Sequence, residues 1–382
     1  MVIYLDNGAT TWPKPPEVIQ AVNDALTIYG ANPGRGAYAM ALAASRQVFG
    51  VRQAIASFIG AEHMERVIFT TNTTDGINLA LKGILRQGDH VLYSPLEHNA
   101  LWRPLSTMAR DGWVEAERLP ATPDGNLDLA AVEAYIRPNT KMICCLHASN
   151  VTGTILPIAQ LGEIARRHQL LFLVDAAQSA GILPIDIQEM KIDLLAAPGH
   201  KSLYGPMGSG FLYVGDRAAD DMVPLRQGGT GSQSHSQYQP ESYPDRLECG
   251  TINLPGVLGL GGGLAYIQRV GRAQIEQKLD ELTQCFLKGV TALPGVTYYG
   301  PPPGVKRSPV VTINVDGRDG GEVATILDSE YDIAVRAGFH CGPLAHDLSG
   351  SGQTGGVRFS FSSFNTMAEV EQALAALDDI RR

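Results

Sequence analysis

Two ionisable side chains, Asp175 and Lys201, each follow a short apolar run that reads as a buried strand. Because ligands of such sheets bind where the strands end, the carboxylate and the amine are expected to face one site. An amine there can bind the aldehyde of pyridoxal phosphate covalently, and a carboxylate can keep its pyridine nitrogen protonated. The pair therefore indicates a site that acts on bonds at the α-carbon of an amino acid. The alternative is a surface lysine with a helix-capping aspartate, and Lys201 taken alone favours it.

Composition limits the class of protein. The 382 residues are 44% hydrophobic and 18% charged, which is typical of a globular protein with more than one small core. A net charge of -9 without a cluster of Lys and Arg argues against a nucleic-acid partner. No apolar stretch could span a membrane and residues 1–6 carry no leader-like block, so a cytoplasmic protein is expected. Five cysteines without regular spacing fit a reducing compartment.

Short apolar runs alternate with helical patterns through the first two thirds of the chain. The runs are apolar on both faces, which is typical of parallel strands covered by helices on each side. The expected strands are 66–70, 90–93, 142–146, 170–174, 194–197 and 210–214. The expected helices include 17–26, 45–59, 76–85 and 159–168. This order predicts an α/β fold with a doubly wound, mainly parallel sheet.

The pattern changes after residue 256. A helical region is expected over 257–293, and Thr366 and Glu369 have the spacing of a capping box that opens a last helix. The strands expected here are 310–315, 333–336 and 357–361. The expected domains are a large α/β domain over 15–256 and a smaller α+β domain made of 1–14 and 257–382.

Ten short stretches combine the lysine and the aspartate with further Gly, Thr, His and Arg residues. They are 5–11, 32–36, 73–78, 97–99, 147–153, 174–181, 199–201, 228–232, 336–341 and 357–360. Each stretch is weak by itself, but ten in the same order are specific. Together they resemble the class V aminotransferase family of pyridoxal-phosphate-dependent transferases, and within it the cysteine desulfurases. The resemblance implies fold type I, in which the smaller domain carries the loop with the catalytic cysteine.

The resemblance implies pyridoxal 5'-phosphate as cofactor, bound covalently by Lys201. The cofactor-binding residues that it implies are Thr73, Thr74, His98, Asp175, Gln178, His200, Lys201 and Thr230. In these roles Asp175 meets the pyridine nitrogen and Gln178 meets the ring hydroxyl. His98 stacks on the ring and can move protons, although a histidine at such a place is by itself more often an ordinary loop residue.

Thr73, Thr74 and His200 are implied at the phosphate. The two threonines stand where a strand gives way to a helix, so they can hold a phosphate at the helix N-terminus, and a threonine-rich cap is the alternative. Thr230 resembles the residue that reaches the phosphate of the neighbouring subunit, which implies a homodimer with shared sites. Pro198 departs from the family pattern, because relatives often carry a hydroxyl there. One phosphate hydrogen bond is therefore expected to be absent or replaced.

Substrate recognition requires a carboxylate-binding side chain. Arg358 matches the arginine that has this role in the family that the chain resembles, and its planar guanidinium suits bidentate contact. A lone arginine on a strand would otherwise be read as a surface ion pair. The substrate-binding residues that the resemblance implies are Asn150, Arg336 and Arg358.

Cys341 is the candidate nucleophile among the cysteines. The two cysteines of the run 142–146 are expected to be inert core, whereas Cys341 lies in a polar turn. Arg336 and His340 are expected to favour its thiolate, and a buried loop cysteine is the alternative. A zinc site with His346 would lack a paired Cys-x-x-Cys, so no metal is expected.

The short cysteine loop resembles that of group II (SUF/CSD-like) desulfurases. The resemblance implies conversion of L-cysteine to L-alanine, with Lys201, Cys341 and His98 as catalytic residues and a persulfide on Cys341. The persulfide implies a sulfur-acceptor protein or an iron–sulfur scaffold as partner. Alternatives are a selenocysteine lyase, a cysteine lyase that releases sulfide directly and, more distantly, an aminotransferase. An inactive scaffold for sulfur-transfer proteins is a further alternative, but it would not need Lys201, Asp175, His98 and Arg358 together.

Overall fold

The computed structural model describes residues 2–34, 36–122, 125–351 and 354–382, so Arg35 of the matched stretch 32–36 lies outside the described residues. The described strands are β1 Ile3–Tyr4, β2 Val67–Thr70, β3 Asp89–Tyr93, β4 Val114–Arg118, β5 Thr140–Leu146, β6 Leu171–Asp175, β7 Leu194–Pro198, β8 Gly210–Val214, β9 Val296–Tyr299, β10 Val310–Val315, β11 Ile333–Ala334, β12 Arg336–Gly338 and β13 Gly356–Ser360. The described α-helices are α1 Pro16–Thr27, α2 Ala39–Ile59, α3 Thr73–Ile84, α4 Asn99–Arg110, α5 Leu129–Val132, α6 Ile158–Arg167, α7 Asp216–Ala219, α8 Leu254–Val270, α9 Arg272–Ala292, α10 Gly320–Tyr331, α11 Pro343–Ser349 and α12 Met367–Ile380. Two short 3-10 helices are Met64–Arg66 and Glu133–Tyr135.

A seven-stranded sheet forms the larger part of the fold. Its strand order is β2-β8-β7-β6-β5-β3-β4, and within it only β8 runs antiparallel to its neighbours. The prediction of a mainly parallel sheet is therefore confirmed. The edge strand β4 was not predicted, because its sequence is largely polar and only Val114 is buried.

Helices cover both faces of this sheet. Alternate residues of β7 enter different cores, because Leu195 and Ala197 pack on one face while Leu194 and Ala196 pack on the other. The second face is covered by α3 and α4, and this two-sided burial is why the strands read as continuous apolar runs.

The later part of the chain builds a second, antiparallel sheet in the order β12-β13-β10-β9. Phe286 of α9 packs on Phe359 of β13, with ring centroids 4.6 Å apart. The first strand, β1, pairs in parallel with β11, so the beginning of the chain joins this part of the structure. The division into domains at 15–256 stays a prediction.

Two expected elements differ from the structure. The helical region 257–293 is two helices, because Gly271 has a φ of 92° that an α-helix does not allow. The expected strand 333–336 is divided between β11 and β12, which belong to different sheets. The capping box is confirmed, since the side chains of Thr366 and Glu369 each accept the other residue's backbone N–H. No described helix has both the length and the apolar character needed to cross a membrane.

Helix α8 packs directly against the turn that follows Lys201. A Cβ atom at Gly263 would lie 1.9 Å from the carbonyl oxygen of Leu203, so only glycine allows this approach. Tyr204, which ends the turn, has a φ of 61°, and its hydroxyl donates to Ser363 at 2.9 Å. The position of the lysine turn therefore depends on a close backbone contact.

We expect Gly263→Ala to lower the free energy of unfolding by about 1–3 kcal/mol, because the added methyl group must displace the Leu203 carbonyl. Gly50→Ala in α2 is the matched control, since a Cβ there meets nothing within 4 Å. That control should be neutral or stabilising by roughly 0.5–1 kcal/mol, as glycine is costly inside a helix. Denaturant midpoints of both variants test this, and equal midpoints would contradict it.

Candidate active site

A cavity of about 220 Å³ lies where β2, β6 and β7 end, facing β12 and β13. Ten of the twelve predicted site residues line it: Thr73, Thr74, His98, Asn150, Asp175, Gln178, His200, Lys201, Arg336 and Arg358. Cys341 lies beside it, with Arg336 Nη2 3.6 Å from its sulfur. Thr230 lines a different surface depression. The structure therefore brings most of the predicted residues around one volume.

Asp175 ends β6 and Lys201 follows the neighbouring strand β7. Asp175 is buried and Lys201 is half-buried, and burial acts on their charges in opposite directions. Burial lowers the pKa of Lys201 to about 8, although the Asp175 carboxylate raises it again in part. Burial raises the pKa of Asp175, while the Ala177 N–H, which donates to Oδ1 at 2.8 Å, and the Lys201 charge lower it.

The N-terminal segment holds the turn that carries Lys201. Thr11 Oγ1 donates to the Lys201 carbonyl at 2.8 Å, and the Thr11 N–H donates to the His200 carbonyl at 3.0 Å. Lys14 Nζ also donates to the His200 carbonyl, at 3.0 Å. These residues were not among the predicted site residues, although the matched stretch 5–11 contains Thr11.

One end of the cavity has the features of an anion site. The N-terminus of α3 opens into it, with Asn72 as the cap that accepts the Asp75 N–H at 2.9 Å. Thr73 Oγ1 and His200 Nδ1 are buried and have no hydrogen-bond partner. Two unpaired buried polar atoms beside a helix N-terminus are what a phosphate would satisfy.

His98 caps α4 and is neutral. Its Nδ1 accepts the N–H of Ala100 at 3.0 Å, so the ring proton is on Nε2. Burial lowers the pKa of His98 to about 3, and the positive charge of Lys201 adds to this effect. The stacking and proton-moving role stays a prediction. Gln178 lines the same cavity, and its Nε2 donates to the Gly8 carbonyl at 2.9 Å.

Arg358 on β13 is almost fully buried, with 1% of its surface exposed. Its Nη2 donates to Asp6 Oδ1 at 2.6 Å, its Nη1 donates to the Asn150 carbonyl at 3.4 Å, and its Nε has no partner. Burial lowers the pKa of Arg358, and Asp6 offsets part of that effect. Asp6 is a residue of the site that sequence reasoning did not single out.

The loop of Cys341 is held by hydrogen bonds from the start of α4 and from the segment that follows β5. The Asn99 N–H donates to the Cys341 carbonyl at 2.8 Å, and Asn150 Nδ2 donates to the His340 carbonyl at 2.6 Å. Asn150 Oδ1 is buried without a partner, and its predicted contact to substrate stays a prediction. His340 and Cys341 have φ values of 51° and 58°, a left-handed conformation that costs on the order of 1–3 kcal/mol per residue.

The expectation that His340 favours the Cys341 thiolate stays a prediction, but a positive charge on its ring is not the cause. Burial lowers the pKa of His340 to about 3, and the nearby Arg358 charge lowers it further, so the imidazole is neutral. Arg336 alone of the two expected neighbours brings a charge to the sulfur. His340 Nδ1 lies 3.1 Å from His346 Nε2, which makes the two rings hydrogen-bond partners. In the described ranges there is no group of three His, Cys, Asp or Glu that could hold a metal ion.

The remaining predicted residues have other surroundings. Cys144 and Cys145 are fully buried in β5, and burial raises the pKa of both thiols, as expected of inert core. Thr230 donates to the Ser232 carbonyl at 3.1 Å on the chain's surface, away from the cavity. Its role toward a neighbouring subunit stays a prediction.

The model of the aminotransferase class-V family matches residues 3–373. The chain belongs to this family. It is also 34% identical to a probable cysteine desulfurase of Methanothermobacter thermautotrophicus, over 99% of this chain and 94% of that protein.

Solved structures of class-V aminotransferase relatives have the same fold. The cysteine desulfurase from Thermococcus onnurineus NA1, solved in its apo form, has a TM-score of 0.94 and 35% identity, covering 99% of this chain and 94% of the other. The cysteine desulfurase CsdA from Escherichia coli, solved as its S-sulfonic acid, has a TM-score of 0.88 and 28% identity with the same coverage. The predicted family and fold class are confirmed, and these families depend in general on pyridoxal phosphate.

Glu97 is a further buried acid of this class-V aminotransferase chain. Its Oε1 accepts the Leu146 N–H at 2.8 Å, its Oε2 has no partner, and none of its surface is exposed. Burial raises the pKa of Glu97 to about 8, and the Asp175 carboxylate adds to this effect. The side chain is therefore mostly a neutral acid at pH 7. It lies in the matched stretch 97–99, but a sequence does not show burial.

We expect the stability of the wild type, relative to Glu97→Gln, to fall as the pH rises. The folded-state pKa is about 8, and the unfolded one is about 4.3. The neutral acid therefore contributes stability that is complete below the unfolded pKa and is lost as pH rises through the folded pKa. The expected slope between these values is at most about 1.4 kcal/mol per pH unit.

Denaturant unfolding from about pH 5 to pH 8 measures this difference. Glu65→Gln is the control, because Glu65 lies on the surface with 45% of its side chain exposed. Parallel pH profiles for the wild type and Glu97→Gln would contradict the expectation.

Proposed function

We propose that this protein is a pyridoxal-phosphate-dependent cysteine desulfurase that forms L-alanine and a persulfide on Cys341. The observation that carries the proposal is the arrangement of three reactive groups. Asp175 and Lys201 line one cavity, and Cys341 is close enough for its charge to act on Lys201. A transfer of an amino group does not need a thiol at this place, so the arrangement favours desulfuration over transamination.

The side chains present fit the cofactor. The unpaired Thr73 Oγ1 and His200 Nδ1, together with the N-terminus of α3, suit its phosphate. Asp175 suits the pyridine nitrogen, and Lys201 suits the aldehyde. When bound, pyridoxal phosphate supplies a ring that stabilises negative charge at the α-carbon of an amino acid. Pro198 lines the cavity without a hydroxyl, so it adds no hydrogen bond there.

Lys201 is suited to act both as a nucleophile and as a base. With a pKa of about 8, a substantial part of its amine is unprotonated at neutral to mildly alkaline pH. The amine lines the cavity, where it can take a proton from the substrate's α-carbon. The contacts from Thr11 and Lys14 keep the turn of this lysine in place.

Arg358 is placed to bind the substrate carboxylate. Its Nε and one N–H on each terminal nitrogen are not used by Asp6 or by the Asn150 carbonyl, so it can still make a bidentate contact. Arg336 lines the same cavity and lies beside the Cys341 sulfur. Arg358 and Arg336 therefore bring the substrate carboxylate and the Cys341 thiol to the same cavity.

Cys341 completes the reaction by attacking the substrate sulfur as a thiolate. A sulfur–sulfur bond forms while the carbon–sulfur bond of the substrate breaks, and its electron pair stays with the carbon. The carbon takes up a proton and becomes the methyl group of alanine. The substrate sulfur is oxidised to a persulfide and the carbon is reduced, so no external oxidant or reductant is needed.

The proposal includes partners. The persulfide must be passed on, which requires a sulfur-acceptor protein or an iron–sulfur scaffold. A homodimer is included because Thr230 does not line the cavity of its own chain but lines a separate surface depression of about 590 Å³. Free thiols at all five cysteines suit a reducing compartment such as the cytoplasm.

We expect Cys341→Ser to keep the yellow, borohydride-reducible chromophore while losing alanine production from L-cysteine. A serine hydroxyl does not form a stable bond to the substrate sulfur, and the cofactor-binding residues are unchanged. Lys201→Ala is the complementary control, which should lose the reducible chromophore. Absorption spectra, borohydride labelling and alanine release measure these outcomes.

Retained desulfuration in Cys341→Ser would move the assignment to a lyase that releases sulfide directly. Steady-state comparison of L-cysteine with L-selenocysteine tests the other alternative, and a large preference for selenocysteine would contradict the proposal. A reducible chromophore that persists in Lys201→Ala would mean that another lysine binds the cofactor.

We expect Arg358→Lys to raise the KM for L-cysteine by roughly 10- to 100-fold, since one charge-assisted hydrogen bond contributes about 1.5–3 kcal/mol. Arg307→Lys is the matched control, because Arg307 is also buried but donates to backbone carbonyls away from the cavity. It should lower stability without changing KM. A KM unchanged in Arg358→Lys would remove Arg358 from the substrate site.

A further inference from the structure

Three buried side chains form a continuous hydrogen-bond chain behind Cys341. His340 Nε2 lies 3.0 Å from the Arg336 carbonyl oxygen, and His340 Nδ1 lies 3.1 Å from His346 Nε2. His346 Nδ1 in turn lies 2.6 Å from Ser351 Oγ. All three side chains are at most 2% exposed. These hydrogen bonds link the cysteine loop to the C-terminal end of α11.

The direction of these hydrogen bonds follows from the last acceptor, the Arg336 carbonyl oxygen. A carbonyl oxygen only accepts, so His340 Nε2 carries a proton and donates to Arg336. The neutral His340 ring then accepts at Nδ1, so His346 donates from Nε2. The neutral His346 ring accepts at Nδ1 from the Ser351 hydroxyl. Each ring nitrogen is therefore either a donor or an acceptor, so the tautomers of both histidines are fixed.

Both rings stay neutral in these surroundings. The groups that act on His340 are Arg358, Arg336 and His346, and those that act on His346 are Asp347 and Arg358. Burial lowers the pKa of His346 to about 4, with Arg358 lowering it further and Asp347 opposing the change. The rings stack 5.3 Å apart, and the Phe339 ring meets His346 edge-on at 5.6 Å.

The cysteine loop requires support of this kind. His340 and Cys341 both have left-handed backbone conformations, which residues other than glycine adopt reluctantly. The His340 ring is fixed by its hydrogen bonds to His346 and to the Arg336 carbonyl. The His340 carbonyl is fixed by Asn150 Nδ2, which donates to it at 2.6 Å. The side chain and the backbone of the residue before Cys341 are therefore both fixed.

We propose that His346 is a positioning residue that acts through His340 and holds Cys341 in its reactive orientation. His346 itself does not line the cavity, so its effect passes through the ring that it donates to. The inference rests on the proposed persulfide chemistry of Cys341. The orientation of that thiol can nevertheless be measured without any substrate.

The test compares His346→Leu, which removes both hydrogen bonds, with His346→Gln, whose amide can still donate and accept. In His346→Leu the loop is released, so iodoacetamide should alkylate Cys341 faster while kcat for L-cysteine falls by about tenfold, the effect of roughly one hydrogen bond. KM and the Lys201 chromophore should change little. His346→Gln should recover most of both changes.

Ser351→Ala and Ser349→Ala provide a second, milder comparison. Ser351 donates to the His346 ring, whereas Ser349 contacts the His346 carbonyl and the Ser351 hydroxyl but neither imidazole. Ser351→Ala frees His346 to change tautomer, so it should lower kcat more than Ser349→Ala does. If His346→Leu does not fold, this pair of serine variants still tests whether His346 positions Cys341.

Several results would overturn the proposal. The proposal is contradicted if His346→Leu has the alkylation rate and the kcat of the wild type. It is also contradicted if His346→Gln shows the same alkylation rate and kcat as an impaired His346→Leu. Equal kcat values in the two serine variants would do the same. If the wild type makes no alanine, the proposed function fails, but the alkylation rates still decide whether the histidines position Cys341.

Discussion

Asp175 and Lys201 carry opposite charges at the ends of neighbouring strands, with Asp175 buried and Lys201 half-buried. Burial destabilises both charges, while each charge stabilises the other, so neither side chain suits this place without its partner or a ligand. A ring with a basic nitrogen at one end and an aldehyde at the other meets both needs. Burial likewise raises the pKa of Glu97 and lowers that of His98, which stays neutral.

The two ends of the chain build the rest of the site around that pair. Residues 6–14 contact the lysine turn through Thr11 and Lys14 and contact Arg358 through Asp6. Strand β1 is paired with β11, so this segment is fixed relative to the loop of Cys341 as well. Movement of the N-terminal segment would therefore disturb the Lys201 amine, the Arg358 guanidinium and the Cys341 thiol together.

The sequence predicts those parts of the molecule that depend on local signals. Strands such as β7 and β8 are predicted well because strands buried on both faces are apolar runs, and Lys201 and Asp175 follow from such runs together with the family resemblance. The polar edge strand β4 gives no such signal. Asp6 with Arg358, Asn150 with His340, and the neutral state of His340 depend on contacts between residues far apart in the chain. Burial, which decides the charge of a histidine, is a property of the folded protein.

The neutral state of His340 assigns separate tasks to the two arginines. A positive imidazole beside Arg336 would offer the substrate carboxylate a second cation near the thiol, in competition with Arg358. With His340 neutral, Arg358 is the proposed partner of the substrate carboxylate, and Arg336 would stabilise negative charge on the Cys341 sulfur at 3.6 Å. The histidine then contributes geometry rather than charge. Its ring and carbonyl fix a strained backbone at the residue before the nucleophile, so that the charge of Arg336 acts on a sulfur of defined position.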